Sequence, residues 1–129
     1  MPKKALVVDN NYFFVEFLSE LLEKRGYLVT KAYNGKEGIS KLANGPVDII
    51  FADLIMPKVD VRQFIEYVRM KNPENHFPIV ALSGTVIEQL GEVDEIGADY
   101  YIPKGPIDRL TTQLNEFMAE IEAQPFFPP

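Results

Sequence analysis

Short apolar runs recur along the chain, separated by polar segments with helical periodicity. The runs cover residues 5–8, 27–32, 47–52, 78–82 and 100–102. Three of the five are nearly continuous in apolar residues, which is typical of central parallel strands covered on both faces. The runs therefore predict five strands.

The segments between and after the runs have the periodicity of amphipathic helices. The first predicted helix ends at Gly26, the second begins at Asn34, and Asp60 suits the N-cap of the third. The apolar positions of these helices are Phe14, Phe17, Leu18, Leu21 and Leu22 in the first, Phe64, Ile65 and Val68 in the third, Ile87, Leu90, Val93 and Ile96 in the fourth, and Ile107, Leu110, Leu114, Phe117, Met118 and Ile121 in the fifth. Five βα units predict an α/β fold with a parallel sheet and helices on both faces.

Composition narrows the class of protein. A chain of 129 residues is long enough for one domain with a buried core. Its net charge of −6 argues against direct nucleic-acid binding, which needs a basic surface. No apolar run approaches the length of a membrane span, the N-terminus lacks a signal-peptide pattern, and the absence of Cys excludes disulfides and thiolate metal sites. These features predict a cytoplasmic protein that binds neither membrane nor nucleic acid, although a chain without Cys suits any compartment.

The C-terminal residues differ in composition from the rest. Residues 124–129 read QPFFPP and cannot continue a helix because of their prolines. We therefore expect one domain over residues 1–123, followed by an extended tail or the start of a linker at 124–129.

Polar side chains follow four of the predicted strands. Asp9 follows the first, Asp53 the third, Ser83 the fourth, and Lys104 comes just after the fifth. Each residue alone has a simpler interpretation as a helix cap, a turn residue or an exposed loop lysine. Ligands of open α/β sheets bind outside the carboxyl ends of the strands, where these four converge. Two carboxylates, a hydroxyl and an ammonium suit phosphoryl transfer, which depends on positioning and charge neutralisation.

The motifs around these residues resemble the receiver domain of response regulators in two-component signalling, from Lys4 to about Ile121. The motifs are VVD at residues 7–9, RGY at 25–27, NGKEG at 34–38, DLIMP at 53–57, PIVALSG at 78–84 and GADYYIPK at 97–104. Their order and spacing make the resemblance specific. It implies a flavodoxin-like, CheY-like (βα)5 fold, a doubly wound parallel five-stranded sheet with strand order 2-1-3-4-5.

The resemblance also implies a role for each site residue. Asp53 falls on the phosphoacceptor, which takes a phosphoryl group from a phosphohistidine of a histidine kinase or phosphotransfer protein. Lys104 matches the lysine that binds a phosphoryl oxygen. Mg²⁺ (or Mn²⁺) would be held by Asp9, Asp53, the backbone carbonyl of Ile55 and the residue at Asn10.

The same resemblance implies a switch. Ser83 matches the hydroxyl residue that moves toward the phosphoryl group, and Tyr101 matches the aromatic residue that changes rotamer with it. Activation in the family repacks the face formed by the fourth helix, fifth strand and fifth helix, which then meets a partner or output domain. The chain is thus expected to be a signalling domain rather than an enzyme; its output and a homodimeric state stay open.

Asn10 is the departure from the family pattern that bears most on function. The family usually has a second acidic residue here, which ligates Mg²⁺ directly. An amide oxygen can ligate a hard cation but carries no charge. We therefore expect weakly bound Mg²⁺ and slower phosphorylation.

Other departures lie in the loops. Val61 replaces a usual Gly, so the loop before the third helix must avoid positive φ. The family's Lys-Pro pair, usually with a cis bond, becomes residues 104–106 (KGP), and no cis peptide is expected there. Ile55 and Thr85 occupy the variable positions that influence attack of water, and Ile55 cannot orient water, which predicts a long-lived phosphoryl group.

Two further features have competing interpretations. His76 lies in a loop without a second ligand nearby in sequence, so we expect an exposed residue rather than a metal ligand. Tyr12, Phe13 and Val15 lie off the predicted core face of the first helix; they form a partner patch or cover the loops above the sheet.

Three functions are weighed. The leading hypothesis is a receiver switched by Mg²⁺-dependent phosphorylation of Asp53. The alternative is a degenerate receiver that acts as a phosphorylation-independent interaction module, motivated by Asn10 and the altered loop at Lys104. A flavodoxin-like cofactor binder or small hydrolase is poorly supported because the loop after the first strand lacks a Gly-rich phosphate cradle.

Overall fold

The computed structural model describes residues 2–53, 61–73, 77–84 and 97–127. The strands are Lys4–Val8 (β1), Leu28–Ala32 (β2), Ile49–Asp53 (β3), Ile79–Ser83 (β4) and Tyr100–Pro103 (β5). The helices in this part of the chain are Tyr12–Lys24 (α1), Gly35–Leu42 (α2), Val61–Lys71 (α3) and Ile107–Glu122 (the C-terminal helix). The features named above that lie outside the described residues are the fourth predicted helix, Ile55 with the rest of the DLIMP motif after Asp53, Asp60, His76, Thr85 and residues 128–129.

The five strands form one parallel sheet in the order β2-β1-β3-β4-β5, as the sequence predicted. β1 pairs with β2 on one side and β3 on the other, and Val8 lies opposite Ala52 in register. Val8 is followed by Asp9, and Ala52 is followed by Asp53. Strand pairing therefore brings the two acids to the same edge of the sheet.

Each face of the sheet carries its own apolar core, because alternate strand residues point to opposite sides. One core packs α1 and the C-terminal helix against the sheet through Leu18, Leu22, Leu110, Leu114 and Met118. The other packs α3 through Phe64, Ile65 and Val68, with Ile39 and Leu42 of α2 against it. This two-faced burial is the doubly wound arrangement that the alternating elements predicted.

The predicted helix boundaries have clear local causes. Asn11 caps α1 by accepting from the N–H of Phe14 at 3.1 Å, and Asn34 caps α2 by accepting from the N–H of Glu37 at 2.8 Å. α1 ends just before Gly26, whose φ of 94° lies in the left-handed region that favours glycine. A Cβ on Gly38 would lie 2.9 Å from Phe64 Cε1, so a glycine at this position lets α2 approach α3.

Three local predictions are corrected by the structure. Val15 is fully buried in the core where α1 packs on the sheet, so α1 buries a wider face than its main apolar stripe. The Gly105–Pro106 peptide is cis, although trans was expected; a tertiary X–Pro amide makes the cis form accessible. Residues 124–127 form turns instead of an extended tail, and Phe127 is buried in the core with Lys3 over its ring. The domain boundary at 123 stays a prediction.

Val61 is the first residue of α3 and packs into the core at 5% exposure, so a side chain larger than Gly is accommodated at this position. Within the described ranges, none of the helices is both long enough and apolar enough to span a membrane.

Candidate functional site at the carboxyl edge of the sheet

The four polar residues that follow strands lie at the carboxyl edge of the sheet. Asp53 and Ser83 are the last residues of β3 and β4, and Asp9 and Lys104 directly follow β1 and β5. Asp9, Asp53 and Ser83 are 0%, 5% and 2% exposed, so this edge carries buried polar groups rather than loose surface side chains.

Lys104 joins the two carboxylates. Its Nζ lies 2.5 Å from Asp9 Oδ2 and 3.3 Å from Asp53 Oδ2, and its side chain is 14% exposed. Two carboxylates that share one ammonium repel each other, and the ammonium offsets that repulsion in a poorly solvated place. This trio of Asp9, Lys104 and Asp53, which we call the carboxyl-edge cluster, is the structural centre of the site.

Backbone hydrogen bonds fix Asp9. Its N–H donates to the carbonyl of Ala32 at 3.1 Å, and its Oδ1 accepts from the N–H of Asn11 at 2.8 Å. Asn11 in turn is the N-cap of α1, so the first helix begins immediately after the turn that holds Asp9. Asp9 Oδ2 is enclosed and makes no well-formed hydrogen bond in the described part of the chain, its contact being the ion pair with Lys104.

Backbone pairing also places Lys104. Its N–H donates to the carbonyl of Ser83 at 2.8 Å, which extends the pairing of β4 with β5 by one residue. Gly84 lies under the lysine: a Cβ there would be 3.9 Å from Lys104 Cδ. Tyr101 lies one strand position before Ile102, is half-buried, and packs against the core that contains α3.

The predicted metal ligands are placed unequally. Asp9 and Asp53 both contact the ammonium of Lys104, so a cation near that position would contact both carboxylates. Asn10, in contrast, is exposed at the rim of the site. Across the described residues, no group of three or more acidic or imidazole side chains forms a metal cluster by itself. The donor set nevertheless fits Mg²⁺, which takes one or two carboxylates and completes its shell with water and phosphate oxygens. The enclosed Asp9 Oδ2, with no well-formed hydrogen bond, is consistent with that use.

Phe14 belongs to the site although the helical pattern marked it as a core residue. Its ring is 8% exposed, and Lys104 Nζ lies over it at 4.9 Å from the ring centroid. The N-cap at Asn11 was the available signal, because a cap fixes where the third residue of the following helix projects. The partner of that ring, Lys104, is distant in sequence and was not predicted.

This fold and site define a receiver domain. A family model described as "Response regulator receiver domain" matches residues 5–115, which is most of the chain. The chain therefore belongs to the response regulator receiver domain family of two-component signalling. Domains of this family bind Mg²⁺ and interact with histidine kinases or phosphotransfer proteins.

Individual relatives agree with this assignment. The alkaline phosphatase synthesis transcriptional regulatory protein PhoP of Bacillus subtilis is 35% identical over 81% of this chain and 43% of its own length. The structure of chemotaxis protein CheY4 of Vibrio cholerae superposes with a TM-score of 0.81 at 26% identity, covering 94% of this chain and 99% of CheY4. Response regulator protein TrrA of Thermotoga maritima, solved in complex with Mg(2+)-BeF, gives a TM-score of 0.72 at 27% identity over 88% and 97% of the two chains.

The first curated relatives are longer than this chain. The chain spans less than half of their length, from 43% to 45% for the transcriptional regulator YcbL of Bacillus subtilis and the regulator MprA of Mycobacterium. What those whole proteins do is therefore a separate matter from the receiver domain.

Proposed function

We propose that this domain is a phosphoacceptor switch in which Asp53 accepts a phosphoryl group in a Mg²⁺-dependent reaction. The observation that carries the proposal is the carboxyl-edge cluster, in which Lys104 Nζ lies 3.3 Å from Asp53 Oδ2 and 2.5 Å from Asp9 Oδ2. A nucleophilic carboxylate, a second carboxylate and a fixed ammonium are the groups that phosphoryl transfer to an acid requires.

The proposed step begins with attack of an Asp53 carboxylate oxygen on the phosphorus of a phosphohistidine. A P–O bond forms, the P–N bond breaks, and its electron pair stays on the imidazole nitrogen, which binds a proton from water. Lys104 offsets the charge that collects on the equatorial phosphoryl oxygens, because its ammonium already lies beside the acceptor carboxylate. Ser83, at the end of the adjacent strand, donates a hydrogen bond to another phosphoryl oxygen.

Mg²⁺ would be held by the carboxylates of Asp9 and Asp53 and the backbone carbonyl of Ile55, with the amide of Asn10 at the rim. The ion supplies positive charge to the phosphoryl oxygens. Asn10 provides no charge, so binding is weak compared with a site that has an acid there. Mn²⁺ takes the same oxygen ligands and is expected to substitute.

The switch would run through the adjacent strands. Ser83 moves toward the phosphoryl group, and Tyr101 on β5 changes rotamer as Ser83 leaves its resting position. Tyr101 is half-buried beside the core, so a change of rotamer would change the exposure of its ring. The expected output face comprises the fourth predicted helix, β5 and the C-terminal helix, which meets a partner, an output domain or a second copy of the chain.

The phosphodonor would approach beside α1. Tyr12 and Phe13, in its first turn, are 61% and 84% exposed, and Tyr12 stacks on Tyr33 at 6.0 Å between ring centroids. Exposed aromatic side chains next to a charged site are typical of a docking surface for a partner protein. We expect a histidine kinase or phosphotransfer protein there, in the cytoplasm, with no direct contact to nucleic acid or membrane.

The test is phosphorylation with a small donor. The purified chain is incubated with acetyl phosphate and increasing Mg²⁺, and its intact mass is measured. A Mg²⁺-dependent gain of one phosphoryl group that hydroxylamine removes, and that Asp53→Asn abolishes, is the expected result. Asp48→Asn, which changes an acid away from the site, is the matched control and keeps the adduct.

A chain that forms no adduct at any Mg²⁺ concentration would instead be a degenerate, phosphorylation-independent module. Neither the described contacts nor the relatives favour that alternative. The lifetime of the adduct is a second readout: with Ile55 unable to orient water, slow loss of the phosphoryl group is expected, and loss as fast as in the most rapid family members would contradict it.

A further inference from the structure

The ammonium of Lys104 has a third neighbour besides the two carboxylates. Its Nζ lies 4.9 Å from the centroid of the Phe14 ring, within the range in which the negative face of an aromatic ring attracts a cation. The lysine side chain is 14% exposed and the ring 8% exposed, so little water separates or screens them. Such contacts are stronger when the cation is poorly solvated.

The position of the Phe14 ring follows from the start of α1. Asp9 Oδ1 accepts from the N–H of Asn11, and Asn11 Oδ1 accepts from the N–H of Phe14. These two hydrogen bonds join the acid, the helix cap and the aromatic residue in one rigid turn. The ring also packs against Phe17 at 6.3 Å and belongs to the core on that face of the sheet. The same turn therefore sets both the carboxylate and the ring that contact Lys104.

The ammonium of Lys104 has to stay in place when the two carboxylates bind other groups. When Asp9 and Asp53 coordinate a metal ion and Asp53 carries a phosphoryl group, both carboxylates change their contacts. A ring face attracts the ammonium without neutralising it. Asn10 adds no carboxylate to the site, so the Phe14 ring is a described attraction on the ammonium that depends on neither Asp9 nor Asp53.

We propose that Phe14 is a positioning residue, whose ring face holds the ammonium of Lys104 beside Asp9 and Asp53 for phosphoryl transfer. This proposal rests on the proposed phosphorylation of Asp53 for its functional consequence, but the position of the lysine can be tested independently.

The first measurement locates the lysine. In protein labelled with ¹³C-lysine, the ε-methylene signals of Lys104, assigned with Lys104→Arg, are expected upfield of those of the other lysines, because this methylene is bonded to the Nζ that lies over the Phe14 ring. Replacing Phe14 by a phenylalanine trifluorinated on its ring preserves shape but removes the negative ring face. The upfield shift is then expected to be lost, whereas Phe14→Tyr retains it. Unshifted wild-type signals, or a shift that survives trifluorination, would overturn the proposal.

The second measurement follows the reaction. Phe14→Leu and the trifluorinated ring are expected to slow Asp53 phosphorylation by acetyl phosphate about fivefold at saturating Mg²⁺, with Phe14→Tyr close to wild type. Phe77→Leu is the matched control, since its ring is also 8% exposed and lies against a cation, Arg69, but precedes the first residue of β4 and so lies away from the carboxyl edge. Equal rates in the trifluorinated and wild-type proteins would contradict the functional role. If the wild type forms no adduct, the proposed function fails, and the lysine signals still decide the role of Phe14.

Discussion

Two clusters of charged side chains lie at opposite ends of the sheet and differ in net charge and in hydrogen bonding. At the amino end, Glu122 of the C-terminal helix accepts hydrogen bonds from Arg25 and from the Tyr27 hydroxyl at 2.7 Å, and Arg25 also donates to Asn115. This amino-end cluster of Arg25, Tyr27, Asn115 and Glu122 is balanced in charge and well hydrogen-bonded. The carboxyl-edge cluster instead holds two acids against one ammonium.

The difference in net charge and hydrogen bonding indicates which cluster is suited to bind an ion. A balanced, hydrogen-bonded group stabilises the fold and has little to gain from a new ion. A trio with a formal excess of one negative charge gains from a cation, and its lysine gains from a phosphate. The hydrogen-bonded cluster and the proposed binding site therefore lie at opposite ends of one sheet, and ligand sites of α/β sheets usually lie at the carboxyl ends of the strands.

Removing the cation from each cluster tests this division most strongly. Lys104→Met is expected to slow Asp53 phosphorylation by about 100-fold or more, because the charge-offsetting ammonium is lost. It should also lower the free energy of unfolding by about 3 kcal/mol, since two poorly exposed carboxylates remain together. Arg25→Met should lower that free energy by about 1 to 2 kcal/mol and leave phosphorylation unchanged. Intact mass and urea unfolding give the two readouts; a similar loss of phosphorylation in Arg25→Met would contradict the different roles of the two clusters.

Adding a negative charge at the carboxyl edge tests how strongly that edge binds a cation. Asn10→Asp is expected to raise Mg²⁺ affinity by about tenfold, because an acid replaces an uncharged amide at the rim. In the absence of metal, a third carboxylate should lower the free energy of unfolding by about 1 kcal/mol through repulsion. Mg²⁺ titrations followed by thermal unfolding measure both effects. Asn44→Asp, which adds the same charge far from the site, should change neither, and equal Mg²⁺ affinity in the Asn10 variant and the wild type would refute the role assigned to Asn10.

Acid titration examines the amino-end cluster. Burial alone would raise the pKa of Glu122, but hydrogen bonds from Arg25 and Tyr27 outweigh it and hold that pKa below its ordinary value. The contribution of Glu122 is therefore present above its unfolded pKa and lost as pH falls through the folded one. Between about pH 6 and about pH 3 the wild type should lose about 1 kcal/mol more stability than Glu122→Gln. Glu120→Gln, exposed on the same helix, should follow the wild-type curve.

Alkaline titration gives the smallest effect. Burial, and then the hydrogen bond to Glu122, raise the pKa of Tyr27 above its ordinary value. Its contribution is present below the unfolded pKa and is lost as pH rises toward the folded one. Tyr27→Phe should lower stability at neutral pH by about 1 kcal/mol and should lack the decline that the wild type shows above about pH 10. An unchanged alkaline decline in this variant, with exposed Tyr12→Phe as control, would show that Tyr27 is not its source.

Much of this fold could be read from local pattern. Apolar runs identified all five strands, and Asn34 marked the start of the second helix, since strand burial and N-caps are local properties. The N-cap role of Asn11 was not predicted. The convergence of Asp9, Asp53, Ser83 and Lys104 followed from parallel topology. Their functional roles stay predictions.

What the sequence could not supply were contacts between distant segments. Val15 is buried because α1 packs on the sheet through a wide face, and Phe127 because the last turns fold back onto the core. Neither contact is visible in a local pattern. The contact of Lys104 with the Phe14 ring and the hydrogen bonds of the amino-end cluster likewise join residues that are distant in sequence.

The edge position of β5 has a consequence for local opening. β5 pairs with β4 alone, whereas the acids follow β1 and β3, each paired on both sides. Strands with one neighbour detach at lower free energy than central ones. Fraying of β5 would therefore withdraw the ammonium while both acids stay in place, and the domain would lose the charge proposed to bind phosphate before it unfolds.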